Sequence, residues 1–232
     1  MRVCAVVAHP GDAEILCGGT LARYRDVGDD VVLCYVCEGS SEGLGSDPGR
    51  TSRAGEKEAQ ASAEALGAEL IWLGLPDGGI FDEETRLIIV EALRVAQPDV
   101  ILTHALEDAH PDHGAVARET VAAGYLAALP HISTETEALP LAPPLYLMDS
   151  FAGVGFLPDH YVDITDVFKQ KLELIACYHT QLRWYELHDN IDLLDLVEAV
   201  GRFRGFQCGT AYAEGFRVHQ VWPQMTAERM LP

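Results

Sequence analysis

Basic residues are scarce in this sequence. Its 232 residues include 16 lysines and arginines against 36 aspartates and glutamates, which gives a formal net charge of −20. Nucleic acid and anionic membranes are expected to repel a chain this acidic. Neither is therefore predicted as a partner. The charge also disfavours a strongly anionic substrate, although a local arginine can override the overall field. A neutral or cationic small molecule fits the composition best.

Long hydrophobic runs are also missing. No apolar stretch approaches the roughly 20 residues of a membrane-spanning helix. No separate apolar segment precedes Ala8 and His9, so no secretory signal is predicted, and we expect a cytoplasmic protein. Hydrophobic residues still make up 48% of the chain. That content is ample for the core of one domain of this length.

The six cysteines do not indicate a disulfide framework. Cys34 and Cys37 have the spacing of a CxxC motif, but they belong to an apolar run that begins at residue 31. On a strand, residues three apart face opposite sides of the sheet. We therefore predict two small buried side chains and neither a redox pair nor a zinc pair.

The glycine-rich turn of dinucleotide-binding domains is absent as well. Such a turn carries G-x-G-x-x-G directly after the first strand. Here the first strand is followed by His-Pro-Gly-Asp, and Gly18 and Gly19 lie too far along the next helix. A nucleotide-binding function is therefore disfavoured.

The chain begins with a short buried strand that leads into a polar turn. Residues 3–7 are apolar or small, and His9, Pro10, Gly11 and Asp12 then lead into a helical pattern. Open α/β sheets bind their ligands at the carboxyl ends of their strands. An imidazole and a carboxylate at such an end are two of the three protein ligands of an open zinc site. The structural alternative is that Asp12 only caps the helix while Pro10 and Gly11 make the turn.

Strand and helix patterns alternate through the first half of the chain. This alternation predicts an α/β, Rossmann-like fold with a mostly parallel sheet, helices on both faces and a small C-terminal extension. We predict one domain over 1–232, with a doubly wound core over 1–128 and an excursion with further strands and C-terminal helices over 129–232. The predicted helices span 13–27, 53–66, 83–96, 113–128, 165–178 and 193–203. The predicted strands after the first span 31–36, 70–73, 99–103, 145–148 and 161–164, and a short mixed tail begins at 205.

A second polar cluster follows the strand that ends at Thr103. The segment 104–113 reads HALEDAHPDH and is dense in side chains that can bind a metal. In a parallel sheet this segment and the first turn lie at the same edge, so His113 can complete a set with His9 and Asp12. The alternative is again structural, with Asp112 as a helix cap. Two such clusters at matching strand ends favour the metal site.

Seven short segments add a family resemblance to this interpretation. They are AHPxD at 8–12, RxxE at 53–56, DG at 77–78, HPDH at 110–113, VDI at 162–164 with Lys171, HTQ at 179–181 and AEGF at 213–216. In this order they resemble the LmbE/PIG-L family of zinc-dependent N-acetylglucosaminyl deacetylases over nearly the whole chain. Each segment is moderately specific, and together they are strongly specific.

The resemblance implies that His9, Asp12 and His113 bind Zn2+. The same ligand set also suits Fe2+ or Mn2+, so the ion used in the cell stays open. The implied reaction removes an acyl group, such as acetyl, from the amine of an N-acetylglucosamine-type sugar or a related conjugate. Family members of this length also imply a homo-oligomer.

Four further residues take roles by resemblance. His110 is similar to the family histidine that stabilises the oxyanion or protonates the leaving amine, and Asp112 would orient a histidine. Arg53 and Asp77 would hold sugar hydroxyls or a neighbouring group of the substrate.

One residue departs from the family pattern. The usual first motif is His-Pro-Asp-Asp, and Gly11 replaces the aspartate that serves as general base. A positioned acid or base contributes roughly 10²- to 10⁴-fold to a rate. Three alternatives follow: another carboxylate or His110 is the base, the enzyme acts on an easier bond, or the protein binds metal and ligand without turnover. Gly11 removes no metal ligand, so the metal prediction is unaffected.

Overall fold

The computed structural model of the chain describes residues 1–41, 43–44, 47–79 and 82–220. Its strands are β1 (Arg2–Val7), β2 (Asp30–Cys37), β3 (Glu69–Leu75), β4 (Val100–Thr103), β5 (Leu145–Met148), β6 (His160–Asp163) and β7 (Ala213–His219). Its α-helices are α1 (Asp12–Asp26), α2 (Pro48–Leu66), α3 (Glu83–Ala96), α4 (Pro111–Leu126), α5 (Phe168–Ile175), α6 (His179–Trp184) and α7 (Leu193–Cys208).

The strands form one sheet in the order β3-β2-β1-β4-β5-β7-β6. The first five strands in this order are parallel, and β7 pairs antiparallel with both β5 and β6. The prediction of a mostly parallel α/β sheet is confirmed. None of the helices in the described ranges is both long enough and apolar enough to cross a bilayer.

Helices cover both faces of the sheet, as the sequence predicts. The odd-numbered residues of β1 pack with α1, α2, α5 and α7 in one core cluster. The even-numbered residues pack with α3 and α4 in a second cluster. This division follows from the strand itself, because successive side chains point to opposite faces and β1 is apolar on both.

The functional edge of the sheet lies where the strand order reverses. From β1 the chain proceeds outward through β2 to β3, whereas β4 lies on the other side of β1 and leads outward to β5. β1 and β4 run parallel with Val6 opposite Thr103, so their carboxyl ends are adjacent. This reversal is the place where open α/β sheets bind ligands.

Two helices on this edge begin earlier than predicted. The predicted start at residue 53 is wrong, because α2 begins at Pro48 behind Asp47, whose carboxylate accepts a hydrogen bond from Arg50 N at 3.2 Å. Proline is favoured in the first helical turn, where its missing N–H is not needed. Similarly, α4 begins at Pro111 and not at residue 113.

The second half of the chain differs more from the prediction. The predicted helix over 165–178 is a short 3₁₀ turn followed by α5, and α6 was not predicted. The predicted end of the last helix at 203 is also wrong, since α7 continues to Cys208. The tail that was predicted to be short and mixed contains β7, which lies inside the sheet between β5 and β6. Residues 221–232 of that tail lie outside the described part of the chain.

The two cysteines of the CxxC segment are buried, as predicted. The prediction that they face opposite sides is wrong, because Cys34 and Cys37 belong to the same core cluster. The register of β2 against β3 shifts between Tyr35 and Cys37, and this irregularity brings the second cysteine to the same face.

Candidate metal centre

The three residues predicted to bind a metal lie together at the carboxyl ends of β1 and β4. His9 follows β1, Asp12 is the first residue of α1, and His113 is in the first turn of α4. Asp12 Oδ2 is 3.6 Å from His9 Nδ1 and 3.4 Å from His113 Nε2. All three side chains are buried. One carboxylate oxygen therefore faces both imidazoles.

The turn that presents Asp12 depends on a glycine. Gly11 is the N-cap of α1 and has φ of 94°, a left-handed conformation that glycine adopts without strain. The Asp12 carboxylate accepts a hydrogen bond from His9 N at 2.7 Å, so it also fixes the turn. The alternative in which Asp12 is the helix N-cap does not hold, because Gly11 occupies that position.

Four imidazoles surround this point. His104 stacks on His113 with ring centroids 4.1 Å apart. His110 also stacks on His113, with ring centroids 4.5 Å apart. His110 and His9 are in edge contact, with centroids 4.8 Å apart. The groups whose ligand atoms lie close enough for one ion include His9 with His110 and His113, and Asp12 with His104 and His113.

Sequence reasoning assigned no role to His104, although it directly follows β4. Its side chain is fully buried, and its Nε2 accepts a hydrogen bond from Ala8 N at 2.9 Å. The same nitrogen is 3.4 Å from Asp12 Oδ2. The signal available in the sequence was the position of His104, which directly follows β4, the strand that pairs with β1.

Two of the predicted residues contact His9. Asp112 Oδ2 is 3.1 Å from His9 Nε2 and accepts a hydrogen bond from Gly78 N at 2.9 Å. Asp77 Oδ1 is 3.9 Å from the same nitrogen of His9. Asp77 also accepts hydrogen bonds from Gly39 N and Ser41 N, at 2.8 and 2.7 Å, so it holds the loop that follows β2.

The structure does not bring Arg53 to this cluster. Its side chain is 69% exposed, and its Nη2 is 4.0 Å from Asp47 Oδ2. A role for Arg53 with substrate stays a prediction. Two other arginines, Arg50 and Arg183, line a cleft of about 390 Å³ together with Thr51 and other residues.

That cleft adjoins the metal centre. A small void of about 20 Å³ is lined by His9, Tyr178, Gln181 and other residues, and it shares Thr51 and Thr180 with the arginine-lined cleft. A substrate that occupies the cleft can therefore extend one end toward His9.

The aspartates make the centre strongly attractive to positive charge. Burial opposes a charged His9, but hydrogen bonds to Asp112 and Asp12 raise its pKa to about 10. Burial opposes a charged His113 as well, but the charge of Asp12 raises its pKa to about 9. Burial and then the charge of His113 lower the pKa of His104 to about 4. A divalent ion would supply the same positive charge and release the protons.

The donor set fits a divalent ion. Imidazole nitrogens and carboxylate oxygens are the ligand types of Zn2+, Fe2+ and Mn2+ sites. Such atoms converge here, because Asp12 Oδ2 lies 3.6 Å from His9 Nδ1 and 3.4 Å from His113 Nε2. Cys37 lies near His9 and Asp77, and burial raises the pKa of its thiol.

Glu14 is not directed at this centre. Its fully buried carboxylate accepts hydrogen bonds from Tyr35 Oη at 2.9 Å, Ser62 Oγ at 2.6 Å and Tyr178 Oη at 3.0 Å. These contacts join α1 to β2, α2 and the segment before α6. Glu14 therefore serves the packing of the domain and is not placed to act as the missing base.

Fold and site together define a Rossmann-like α/β domain with a candidate divalent-metal centre where the strand order reverses. Residues 4–124 match the sequence model of the family PIG-L, described as GlcNAc-PI de-N-acetylase. This match spans more than half of the chain, and the chain therefore belongs to the PIG-L family. The family resemblance found in the sequence is confirmed.

Individual relatives cover nearly the whole chain. A diacetylchitobiose deacetylase of Thermococcus kodakarensis is 29% identical, over 93% of this chain and 82% of the relative. A 4-oxalmesaconate hydratase of Pseudomonas putida is 27% identical, over 95% of this chain and 89% of the relative. The relatives of this chain thus include proteins named for two different reactions.

Solved structures share the fold. The N,N'-diacetylchitobiose deacetylase of Pyrococcus horikoshii has a TM-score of 0.82 at 24% identity, over 94% of this chain and 83% of that chain. A conserved protein from Thermus thermophilus has a TM-score of 0.81 at 30% identity, over 98% of this chain and 100% of that chain.

Proposed function

We propose that the chain is a metal-dependent hydrolase that removes an acetyl group from the amine of an N-acetylglucosamine-type sugar or a related conjugate. The observation that carries the proposal is the meeting of His9, Asp12 and His113 at the strand reversal, in a member of a de-N-acetylase family. The similarity to a diacetylchitobiose deacetylase supports an N-acetylated amino sugar as substrate.

His9, Asp12 and His113 would hold the ion. A divalent ion there supplies Lewis acidity at the acyl oxygen and lowers the pKa of water. The 3.1 Å contact with Asp112 fixes the ring of His9, and the hydrogen bond from Gly78 N fixes Asp112 in turn. This arrangement keeps the imidazole oriented toward the centre.

His110 would donate a hydrogen bond at the reacting centre. Its Nδ1 accepts a hydrogen bond from Asp112 N at 3.2 Å, so in the neutral ring the proton is on Nε2. Its side chain is half-buried and touches both His9 and His113. The Nε2–H would donate a hydrogen bond to the negative charge that develops on the acyl oxygen.

The test is amine release from N-acetylglucosamine and N,N'-diacetylchitobiose by zinc-loaded protein, with acetate measured in parallel. We expect equal amounts of both products, and loss of both in His113→Ala. His160→Ala, which removes an exposed histidine outside the centre, should leave the rate unchanged. Absence of amine from every acetylated sugar would remove the proposed function.

A second candidate is the addition of water to a carbon–carbon double bond of an unsaturated carboxylic acid. Two observations favour it: Gly11 brings no carboxylate base to the centre, and Arg50 and Arg183 line the adjoining cleft. Guanidinium groups bind carboxylates well. The similarity to a 4-oxalmesaconate hydratase supports the same reaction class.

The two candidates differ in the charge of the substrate. If the substrate is an unsaturated polycarboxylate, its ultraviolet absorbance decreases when the protein is added. Arg50→Gln and Arg183→Gln then raise KM by roughly tenfold or more, because each charged hydrogen bond contributes about 1.5 to 3 kcal/mol. If the substrate is a neutral acetylated sugar, these variants change KM little. Arg202→Gln is the matched control, because that exposed side chain pairs with Glu198 on α7.

A further inference from the structure

Gln181 occupies the space next to Gly11 where a side chain of residue 11 would begin. A Cβ built on Gly11 would lie 2.2 Å from Gln181 Oε1 and 3.2 Å from its Cδ. Gly11 also has a left-handed φ of 94°. The Gln181 side chain therefore fits only because residue 11 has no Cβ. In the family pattern residue 11 is an aspartate, and here the amide of Gln181 fills the space of that side chain.

The amide oxygen of Gln181 is a buried acceptor that is directed at Gly11, in the turn between His9 and Asp12. In the part of the chain that the structure describes, Gln181 Oε1 has no hydrogen-bond donor. The residue lines the void of about 20 Å³ that also touches His9. A space of this size holds about one water molecule. Buried polar atoms are nearly always paired, so an unpaired acceptor at a reactive centre indicates a donor from outside the protein.

The neighbouring residue anchors Gln181. Thr180 N donates to Glu58 Oε1 at 3.0 Å, and Thr180 Oγ1 donates to Glu58 Oε2. Glu58 belongs to α2, so the first turn of α6 is tied to the helix on the other side of the void. The backbone that carries Gln181 is thus held in place before any ligand binds, which favours a positioning role.

We propose that Gln181, whose amide fills the space beside Gly11, holds the attacking water in the adjoining void by accepting one of its hydrogen bonds at Oε1. This inference rests on the proposed function, in which water attacks an acyl carbon. The water oxygen bonds to the acyl carbon and the C–N bond breaks. One proton of the water ends on the leaving amine, the other passes to solvent, and the acyl group leaves as acetate. An amide orients the water but takes no proton, so Gln181 supplies the position of the family's base without its basicity.

The first experiment tests the contact between the two residues without any assay of activity. Gly11→Ala, Gln181→Ala and the double variant are compared by thermal unfolding. Gly11→Ala should lower Tm strongly in the wild-type background and clearly less in the Gln181→Ala background, where only the strain of φ remains. Equal losses in the two backgrounds would overturn the contact. Gly11→Asp meets the same obstacle and is not expected to restore a base by itself.

The second experiment tests the hydrogen-bond acceptor of Gln181 separately from the volume of its side chain. Gln181→Met has similar length but no acceptor, and Gln181→Glu keeps the acceptor and adds a carboxylate. We expect Gln181→Met to keep its zinc content, KM and Tm while kcat falls by roughly 10- to 100-fold. Gln181→Glu should retain or raise kcat. A wild-type kcat in Gln181→Met, or a fall in Tm that accounts for the lost activity, would overturn the proposal.

A crystal structure of the zinc-loaded protein makes the test independent of the substrate. We expect an ordered water within about 3.2 Å of Gln181 Oε1, and its loss in Gln181→Met. A protein donor on Oε1, or no water there, would refute the role of Gln181. If the water is present but no acetylated sugar is hydrolysed, the proposed function fails while the role of Gln181 as a water-holding residue stands.

Discussion

Lys171 Nζ donates a hydrogen bond of 2.6 Å to Glu214 Oε1, and both side chains are only 4% exposed. The pair joins α5 to β7. The Glu214 carboxylate also accepts hydrogen bonds from Gly19 N, Thr20 N and Thr20 Oγ1. Lys171 has one further acceptor, Ile15 O at 2.7 Å. Without Lys171, the Glu214 carboxylate therefore keeps three hydrogen-bond donors. Without the Glu214 carboxylate, Lys171 keeps only Ile15 O as an acceptor among these contacts.

Glu214→Gln should destabilise the protein more than Lys171→Met. The glutamine amide places an NH₂ group against an ammonium or a backbone N–H, and it leaves the lysine charge buried without a counter-charge. Breaking a buried pair in this way costs about 3 to 5 kcal/mol. In Lys171→Met, the carboxylate keeps the donors from α1. Urea unfolding measures the difference, and an equal or reversed order would contradict this account.

Arg94 holds the segment that follows α4. The buried guanidinium donates to four backbone carbonyl groups and to one hydroxyl, which are Ala127 O, Leu129 O, Ile132 O, Thr136 O and Thr134 Oγ1. Arg94→Met leaves these acceptors unpaired, and we expect a loss of about 2 to 4 kcal/mol and faster proteolysis within 127–136. Arg86→Met is the control, because its partly exposed pair with Glu119 contributes about 1 kcal/mol or less.

Acid sensitivity is expected from a carboxylate on α3. Glu91 accepts hydrogen bonds from Thr136 N at 3.0 Å and from Thr136 Oγ1 at 2.5 Å. Burial raises the pKa of Glu91, but these hydrogen bonds outweigh it and lower the pKa from its ordinary 4.5. A carboxyl group with a lowered folded-state pKa stabilises the protein above its unfolded pKa, and this stability is lost as pH falls through the folded value.

Wild type should therefore exceed Glu91→Gln in Tm at pH 7, and the gap should close below pH 4.5. Thermal unfolding from pH 7 to about pH 3 measures the gap. Thr136→Val, which keeps the backbone donor and removes the hydroxyl, should show a smaller gap with the same closure. A gap that stays constant over this range would show that the charge of Glu91 is not responsible.

The predictable part of the fold is the part with local signals. Strands β1, β2 and β4 are apolar on both faces, and helices between them carry helical spacing, so the parallel sheet follows from the sequence. β7 was missed because it contains Glu214 and Arg217 among apolar residues. The partner that makes Glu214 tolerable is Lys171, which lies 43 residues earlier in the chain. No local pattern reveals such a partner.

The residues of the site also divide into those with a local sequence signal and those that only the folded chain brings together. His9, Asp12 and His113 were predictable because each lies directly after a strand or at the start of the following helix. Arg50 was not, because it lies in the first turn of α2, which begins at Pro48 and earlier than predicted. Arg183 was not, because it lies on α6, a helix that was not predicted. Gln181 lies on α6, a short helix without a clear apolar period, and only the folded chain places it against Gly11.

The predicted ligand set of His9, Asp12 and His113 overlaps with the group of Asp12, His104 and His113, and single substitutions distinguish these two metal sites. If His9, Asp12 and His113 hold the ion, Asp12→Ala and His113→Ala should each weaken zinc binding by roughly 100-fold or more, whereas His104→Phe should weaken it by about tenfold, as a residue that supports a ligand does. The reason is that His104 Nε2 already accepts the Ala8 N–H. Competition with a chelating dye measures the affinities. Chelation should also lower the Tm of wild type, since an ion bound only to the folded state stabilises it. A loss in His104→Phe as large as in Asp12→Ala would place the ion among Asp12, His104 and His113 instead.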